Sequence, residues 1–402
     1  MIPPAKPPTP PSPSSPSGPS APADPALAEP PYADGLRLVG SAQTNRAMEA
    51  ELTRLARRAL ARRPPAPRRD GTGQLVYPWD DGLGALALTY HRTSTRVVRD
   101  LYALTARRLE PLYDELRAAV AADPRPWADG ARTVSIEARR VEQFAAGERQ
   151  IVGTVKNAIV DALAARGQRL TIDPGQPDRL LVARQDDRGR MLVGLDLTGG
   201  TRTRRGWRHD QGEAPLREHL AAVLAIEARY DPRQDLLVDP MCGSGTIAIE
   251  AALAARGAPV IGAAPPLWPE TRPVIIAGDR DVDMVIAARA NARRAGVDTI
   301  VWERGDLATL TRDRILTWAA DAGSVPPRGL VICNPPWGER LDLPDSRLFY
   351  GELGDWWRSL GDFRAAFLVA NPEFEYAFGA QWSIKKPLAA GDVRGYLFVY
   401  EP

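Results

Sequence analysis

The sequence is poor in the residues from which many catalytic and metal centres are built. Its 402 residues include two cysteines, Cys242 and Cys333, and three histidines, His91, His209 and His219. No histidine stands at metal-ligand spacing from a cysteine or a glutamate, so no metal site is expected. Both cysteines fall in apparent α/β elements, which suits a reducing, cytoplasmic setting and not a disulfide scaffold. No run of 18 apolar residues occurs, so neither a membrane-spanning helix nor a membrane partner is expected. The opening residues carry one lysine and no apolar stretch, and a secretory signal is not expected. Lysine is itself scarce, with 4 against 48 arginines, and no internal repeat is evident. Oligomeric state is not legible from the sequence.

What is present is unevenly placed. Residues 1–35 hold 1 basic and 3 acidic side chains, residues 36–212 hold 31 and 21, and residues 213–402 hold 20 and 26. A front half at +10 joined to a back half at −6 suits a nucleic-acid grip attached to a different machine. Arginine as the default surface residue explains the same counts, and charge alone does not choose. Residues 1–31 are a Pro/Ser/Ala tract that cannot bury enough apolar surface to offset ordering entropy, and they read as a disordered tail.

From Leu36 the pattern becomes mixed α and β. "NRAMEAELTRLARRAL" has helical spacing, and the arginines on its outer face read as solvated or as a phosphate track. "GALALTY" reads as a strand, and "TSTRVVRDLYALT" as a helix start with a Ser/Thr cap. "RTVSIEAR" alternates as a strand, and "ERQIVGTVKNAIVDALAARG" is an amphipathic helix ending at Gly167. "RLLVARQDDRGRMLVGLDLTG" reads as a hairpin turning at Asp187–Gly189. "TRTRRGWRHD" mixes arginines with Trp207 and reads equally as an RNA contact or as a linker surface. This α+β region closes near Gly212. Beyond it, short apolar strands alternate with helices, from "DLLVDP" to "DFRAAFLVAN", and two late extended runs form a closing hairpin. Such alternation predicts a parallel, doubly wound sheet over residues 213–402, with ligands at the carboxyl ends of its strands.

Four of those ends are unusual. In "DPMCGSGT", Gly243 and Gly245 permit a tight turn and close approach to a ligand, but the loop is neither a Walker motif nor a clean G-x-G-x-x-G. In "AGDRD", Asp279 is placed to accept from ribose hydroxyls, while Asp281 fits a helix cap better. Asp306 in "GDLATL" could accept from an adenine amine or serve as a cap. The fourth end is "NPPWG", whose structural reading is a Pro-Pro turn with Trp337 in the core. Cys333 reads as a strand core residue and Cys242 as a small filler in a tight turn.

The spacing of the four resembles the class I S-adenosylmethionine-dependent methyltransferases. "DPMCGSGTIAIEAA", "NPPWGERL" and "GEAPLREHLAA" after "RRGWR" are similar to the THUMP-domain RNA guanine-N2 methyltransferases, within these most to enzymes acting on 23S rRNA. The resemblance covers about residues 36 to 402. In the front half it rests on "GTVKNAIVDAL", "VGLDLTG" and "RRGWR", and upstream of about Arg132 it is loose. It implies a Rossmann-like methyltransferase domain over 213–402, preceded over 36–212 by an α+β region containing a THUMP-like RNA-binding domain. It implies S-adenosylmethionine as cofactor. Asp239, Cys242, Gly243 and Gly245, with Pro240 and Thr246 of the same loop, would wrap its methionine part; Asp279 would hold the ribose and Asp306 the adenine. Asn334, Pro335, Pro336 and Trp337 would form the catalytic acceptor site, and Trp337 departs from the tyrosine or phenylalanine usual there.

An exocyclic amine is a poor nucleophile because its lone pair is delocalised into the ring. The Asn334 side-chain oxygen and the Pro335 carbonyl would each accept one N–H and draw the nitrogen towards sp3 geometry. Two prolines remove competing N–H donors. Trp337 could stack on a base taken out of its helix, which is worth about 1–3 kcal/mol against the few that flipping costs. The expected activity is methyl transfer to guanine N2 in RNA, either 23S rRNA or tRNA. The rivals are adenine N6 methylation of DNA and a non-catalytic RNA-binding protein that keeps the fold.

Overall fold

The computed structural model describes residues 32–209, 216–337, 345–390 and 393–402. The Pro-rich tail, the start of "GEAPLREHLAA" and the "GERL" that follows Trp337 lie outside the described residues.

The front half is built on one sheet. Its elements run β1 (Tyr32–Val39), α1 (Asn45–Ala59), β2 (Arg68–Arg69), β3 (Gln74–Pro78), α2 (Asp81–Tyr90), β4 (Arg96–Leu104), α3 (Leu109–Ala122), β5 (Thr133–Arg139), α4 (Glu148–Ala164), β6 (Thr171–Ile172), β7 (Arg179–Gln185) and β8 (Met191–Asp196). The spatial order is β2-β3-β1-β4-β8-β7-β5-β6. The hairpin expected at 187–189 is the antiparallel β7–β8 pair, and α4 ends ahead of Gly167 as its periodicity predicts.

Two elements are the reverse of the sequence reading. "GALALTY" is helix α2: Asp80 accepts a hydrogen bond from the Leu83 N–H at 2.8 Å and caps it. Leucine and alanine favour a helix, and Leu83, Leu86 and Ala87 bury one face of it. "TSTRVVRDLYALT" is instead strand β4, held between β1 and β8. Its β-branched Val97 and Val98 suit the pleat. Ser94 is not a helix cap; its hydroxyl lies 2.9 Å from His91 Nδ1 and 2.7 Å from Arg202 Nη2.

The back half comprises α5 (Glu218–Glu227), β9 (Asp235–Asp239), α6 (Thr246–Arg256), β10 (Ile275–Asp279), α7 (Val282–Arg294), β11 (Ile300–Arg304), α8 (Arg312–Asp321), β12 (Arg328–Cys333), α9 (Ser346–Ser359), β13 (Arg364–Val369), α10 (Glu373–Ala377), β14 (Ile384–Ala390) and β15 (Val393–Tyr400). Its sheet order is β11-β10-β9-β12-β13-β15-β14. Strands β9 to β13 are parallel, and β15 runs antiparallel between β13 and β14 as the closing hairpin. Leu237, Ile275 and Leu330 pack on one face with Leu224, Ala248 and Ala288. Ile276, Val331 and Phe367 pack on the other with Ile315 and Leu353. Covering both faces is why these strands read as continuous apolar runs. Strand order reverses between β9 and β12, which opens a crevice at their carboxyl ends. Among the described residues, no helix is long and apolar enough to cross a membrane.

Residues 202–209 join the halves from the inside. Arg202 donates to the carbonyls of Ala87 and His91, and Arg205 to that of Arg92. Arg208 pairs with Glu218 at 2.9 Å, and Trp207 is buried. Of the four arginines in this stretch only Arg204 is exposed. The RNA-contact reading of "TRTRRGWRHD" therefore fails for the other three, whose donors are spent on carbonyls and carboxylates within the fold.

Candidate active site

The four unusual strand ends converge. Because β9, β10, β11 and β12 are parallel, Asp239, Asp279, Asp306 and Asn334 all follow carboxyl ends on one edge. The loop after β9 turns through Gly243 (φ +50°) and Gly245 (φ +84°), both in the left-handed region. A Cβ on Gly245 would also meet the Trp302 ring at 2.7 Å, whereas one on Gly243 would meet nothing within 4 Å. The loop backbone at Gly243 is therefore bare. Thr246 opens α6, and no side chain caps that helix.

Asp279 braces this loop. Its Oδ2 accepts from the Gly243 N–H at 2.8 Å and its Oδ1 from the Asp281 N–H at 3.0 Å. Asp281 is the helix cap, as expected, accepting from the Asp283 N–H. Cys242 donates its N–H to the Gly278 carbonyl at 2.8 Å, and its thiol is buried. Burial pushes both thiols, Cys242 and Cys333, well above the ordinary value, with nearby Asp239 and Asp279 adding to it, so neither is primed as a nucleophile. Cys333 is a core residue at the end of β12. Asp306 is exposed and caps a 3₁₀ turn, accepting from the Thr309 N–H at 3.2 Å.

Two buried acceptors at this edge stand apart. Asp239 is 1% exposed, and neither of its carboxyl oxygens has a hydrogen-bond partner among the described residues. Burial pushes its carboxyl well above the usual range and neighbouring Asp279 adds to this, while the Met241 N–H, near the carboxyl but outside hydrogen-bonding geometry, opposes it. Asn334 Oδ1 is also buried without a partner among the described residues. Buried polar groups are nearly always satisfied, so unpaired acceptors on one sheet edge mark a place built to receive donors.

The loop around Asn334 is anchored from below. The Pro336 carbonyl accepts from the Tyr350 hydroxyl at 2.8 Å, which occupies one of its two lone pairs. The half-buried Trp337 donates Nε1–H to the Leu368 carbonyl at 3.1 Å, and Asn371 Nδ2 donates to the Trp337 carbonyl at the same distance. Its indole packs partly on both core layers of the back sheet, a tethered position intermediate between the two sequence readings. Tyr350 and Asn371 went unread in the sequence. A signal existed for the second: "VANP" ends β13 on Asn-Pro just as "VICNP" ends β12.

Residues 205–395 match the family described as UPF0020, RMKL-like methyltransferase domain. The chain is similar to the ribosomal RNA large subunit methyltransferase K/L of Chromohalobacter salexigens, 36% identical over 260 residues, which cover 56% of this chain and 34% of that protein. Its likeness to the protein of the same name from Syntrophotalea carbinolica is 34% over 328 residues, covering 72% of this chain and 44% of that one. The chain thus spans less than half the length of these relatives. Among solved structures it is similar to a predicted N6-adenine-specific DNA methylase from Listeria monocytogenes, with a TM-score of 0.73 and 22% identity over 92% of this chain and 96% of that one. At that identity the likeness is one of fold: the back half has the Rossmann-like methyltransferase fold that its strand pattern and motifs predicted.

Proposed function

We propose that this chain transfers a methyl group from S-adenosylmethionine to the exocyclic N2 amine of a guanine in RNA, with 23S ribosomal RNA as its substrate. The observation that carries this reading is Asn334 Oδ1, a buried acceptor at the end of β12 without a partner among the described residues. The names of the two curated relatives support the RNA class. The residues present fit the cofactor. Asp239 offers two unpaired oxygens to the ammonium of its methionine part, and the bare Gly243 backbone admits close approach. In this reading Pro240, Cys242, Gly245 and Thr246 complete the wrap, Asp279 takes the ribose and Asp306 the adenine.

When bound, S-adenosylmethionine supplies a methyl group on an electrophilic sulfonium. The chain's own part is to orient the amine. Asn334 Oδ1 and the Pro335 carbonyl each accept one N–H, which localises the nitrogen lone pair on the remaining direction. Neither Pro335 nor Pro336 has an N–H to compete. The tether of Trp337 to Leu368 holds its indole still beside the loop, so a flipped base meets a fixed surface. Residues 36–212, at +10, would contain a THUMP-like domain that grips the RNA backbone, and residues 213–402 would form the catalytic domain, working in the cytoplasm.

The test is incubation with methyl-labelled S-adenosylmethionine and unmethylated 23S rRNA, tRNA or duplex DNA, followed by nucleoside analysis. Label in N2-methylguanosine from 23S rRNA is expected. Label only in tRNA, or in N6-methyladenine of DNA, would replace the substrate, and no label in any of the three would sink the reading.

A further inference from the structure

Asn291, on α7, is completely buried and belongs to none of the strand-end motifs. Its Nδ2 donates to the Ser244 carbonyl at 3.0 Å. Its Oδ1 accepts from the His209 N–H at 3.2 Å and from Arg294 Nη2 at 2.7 Å. Arg294 in turn donates through Nε to the Trp207 carbonyl at 3.1 Å. Arg208, between these two linker residues, lies 3.3 Å from the Thr246 hydroxyl at the start of α6. One amide therefore ties the glycine-rich loop on one side to the segment leaving the front half on the other.

We propose that Asn291 is a positioning residue that holds the glycine-rich loop in its binding conformation by clamping the Ser244 carbonyl to residues 207–209. The inference rests on the reading of that loop as the S-adenosylmethionine site. Ser244 sits between two left-handed glycines, a conformation that the free chain does not favour over its alternatives. The buried Ser244 carbonyl needs a donor. The carboxamide donates to the loop through Nδ2 while accepting from the linker through Oδ1, so one side chain bridges the two. The cofactor site is thus not self-contained in the back half: its loop is braced by backbone that belongs to the connection between the halves.

The discriminating variant is Asn291→Asp in the full chain. It keeps an acceptor for His209 and Arg294 and replaces the donor to Ser244 by an acceptor oxygen. S-adenosylhomocysteine titrated by calorimetry should bind about tenfold more weakly, the size of one buried hydrogen bond left unmade. The KM for S-adenosylmethionine should rise in parallel, with kcat at saturation within about twofold of wild type. Should this variant not fold, Arg294→Lys, at an exposed position, loosens the same clamp and should weaken binding about threefold. Failure of the wild type to bind S-adenosylhomocysteine would remove the underlying reading. Tight binding by the wild type and by every folded variant would overturn the clamp alone. So would a fall in kcat and thermal midpoint with KM unchanged, since that is the signature of a merely structural amide.

Discussion

In the front sheet, Arg37 lies wholly buried between two carboxylates. Its Nη2 is 2.6 Å from Asp100, its Nη1 bonds Asp70, and Gln74 accepts at 3.1 Å. In the back sheet, Asp239 and Asn334 end adjacent strands with their acceptor oxygens unpaired. Both halves bury polar groups at strand positions, yet one set is closed on itself and the other is open. A closed network contributes structure and specificity of packing. An open one costs stability and is retained where a ligand completes it. The contrast separates scaffold from site more sharply than charge does, since the closed Arg37 network lies in the more basic half.

The largest effect should come from breaking the closed network. Arg37→Met would leave Asp70 and Asp100 buried beside an apolar side chain and should cost about 3–5 kcal/mol in urea unfolding. S-adenosylhomocysteine affinity should be unchanged while the protein remains folded. A loss below about 1 kcal/mol would mean that the front carboxylates are not held as the geometry indicates.

Next comes Asp239→Asn, which should move stability the other way. Removing an unpaired buried carboxyl should raise the unfolding free energy of the ligand-free protein at pH 7 by about 1–3 kcal/mol while weakening S-adenosylhomocysteine. The pH dependence carries the same signature with opposite signs in the two halves. The folded Asp239 carboxyl is raised above its ordinary 3.8, so its contribution is full below that value and is lost as pH rises through the folded value. Burial pushes Asp70 up as well, but Arg37, the Asp187 N–H and Arg184 outweigh it and hold the carboxyl at about 2. The Asp70 contribution is therefore full above 3.8 and lost as pH falls towards about 2. Urea titrations across pH should show a negative slope setting in above about 3.8 that Asp239→Asn abolishes. An unchanged slope would place the proton elsewhere.

The smallest effect is expected for Trp337→Phe. It keeps an aromatic face and loses the Nε1–H bond to Leu368, worth about 1 kcal/mol of stability, with kcat/KM within about threefold of wild type. A much larger drop in kcat/KM at unchanged stability would show that the indole itself reads the base.

The back half was legible because its signals are local. Apolar strands covered on both faces, helix caps such as Asp281 and strand ends on Asp or Asn are each written within a few residues. The front half misled where local pattern and tertiary role diverge. Alanine and leucine of α2 look like a buried strand until the Asp80 cap is recognised, and the Ser/Thr run before β4 looks like a cap although Ser94 serves a contact to Arg202 more than a hundred residues away. Long-range partners were invisible for the same reason. Arg202, Arg205 and Arg208 give no sequence sign that they face inward, and Asn291 gives none that it holds Ser244. The unpaired state of Asn334 and Asp239 among the described residues emerges only from the placement of their neighbours in space.

The most direct test of the open network is Asn334→Ala, with S-adenosylhomocysteine affinity and single-turnover methyl transfer measured on the same preparation. Affinity should stay within about twofold of wild type, while the rate falls by about 10²–10³ or more, the cost of one preorganised polar contact at a reacting centre. Loss of affinity in step with rate would assign Asn334 to the cofactor, and a near-normal rate would contradict its role as the acceptor for the reacting amine.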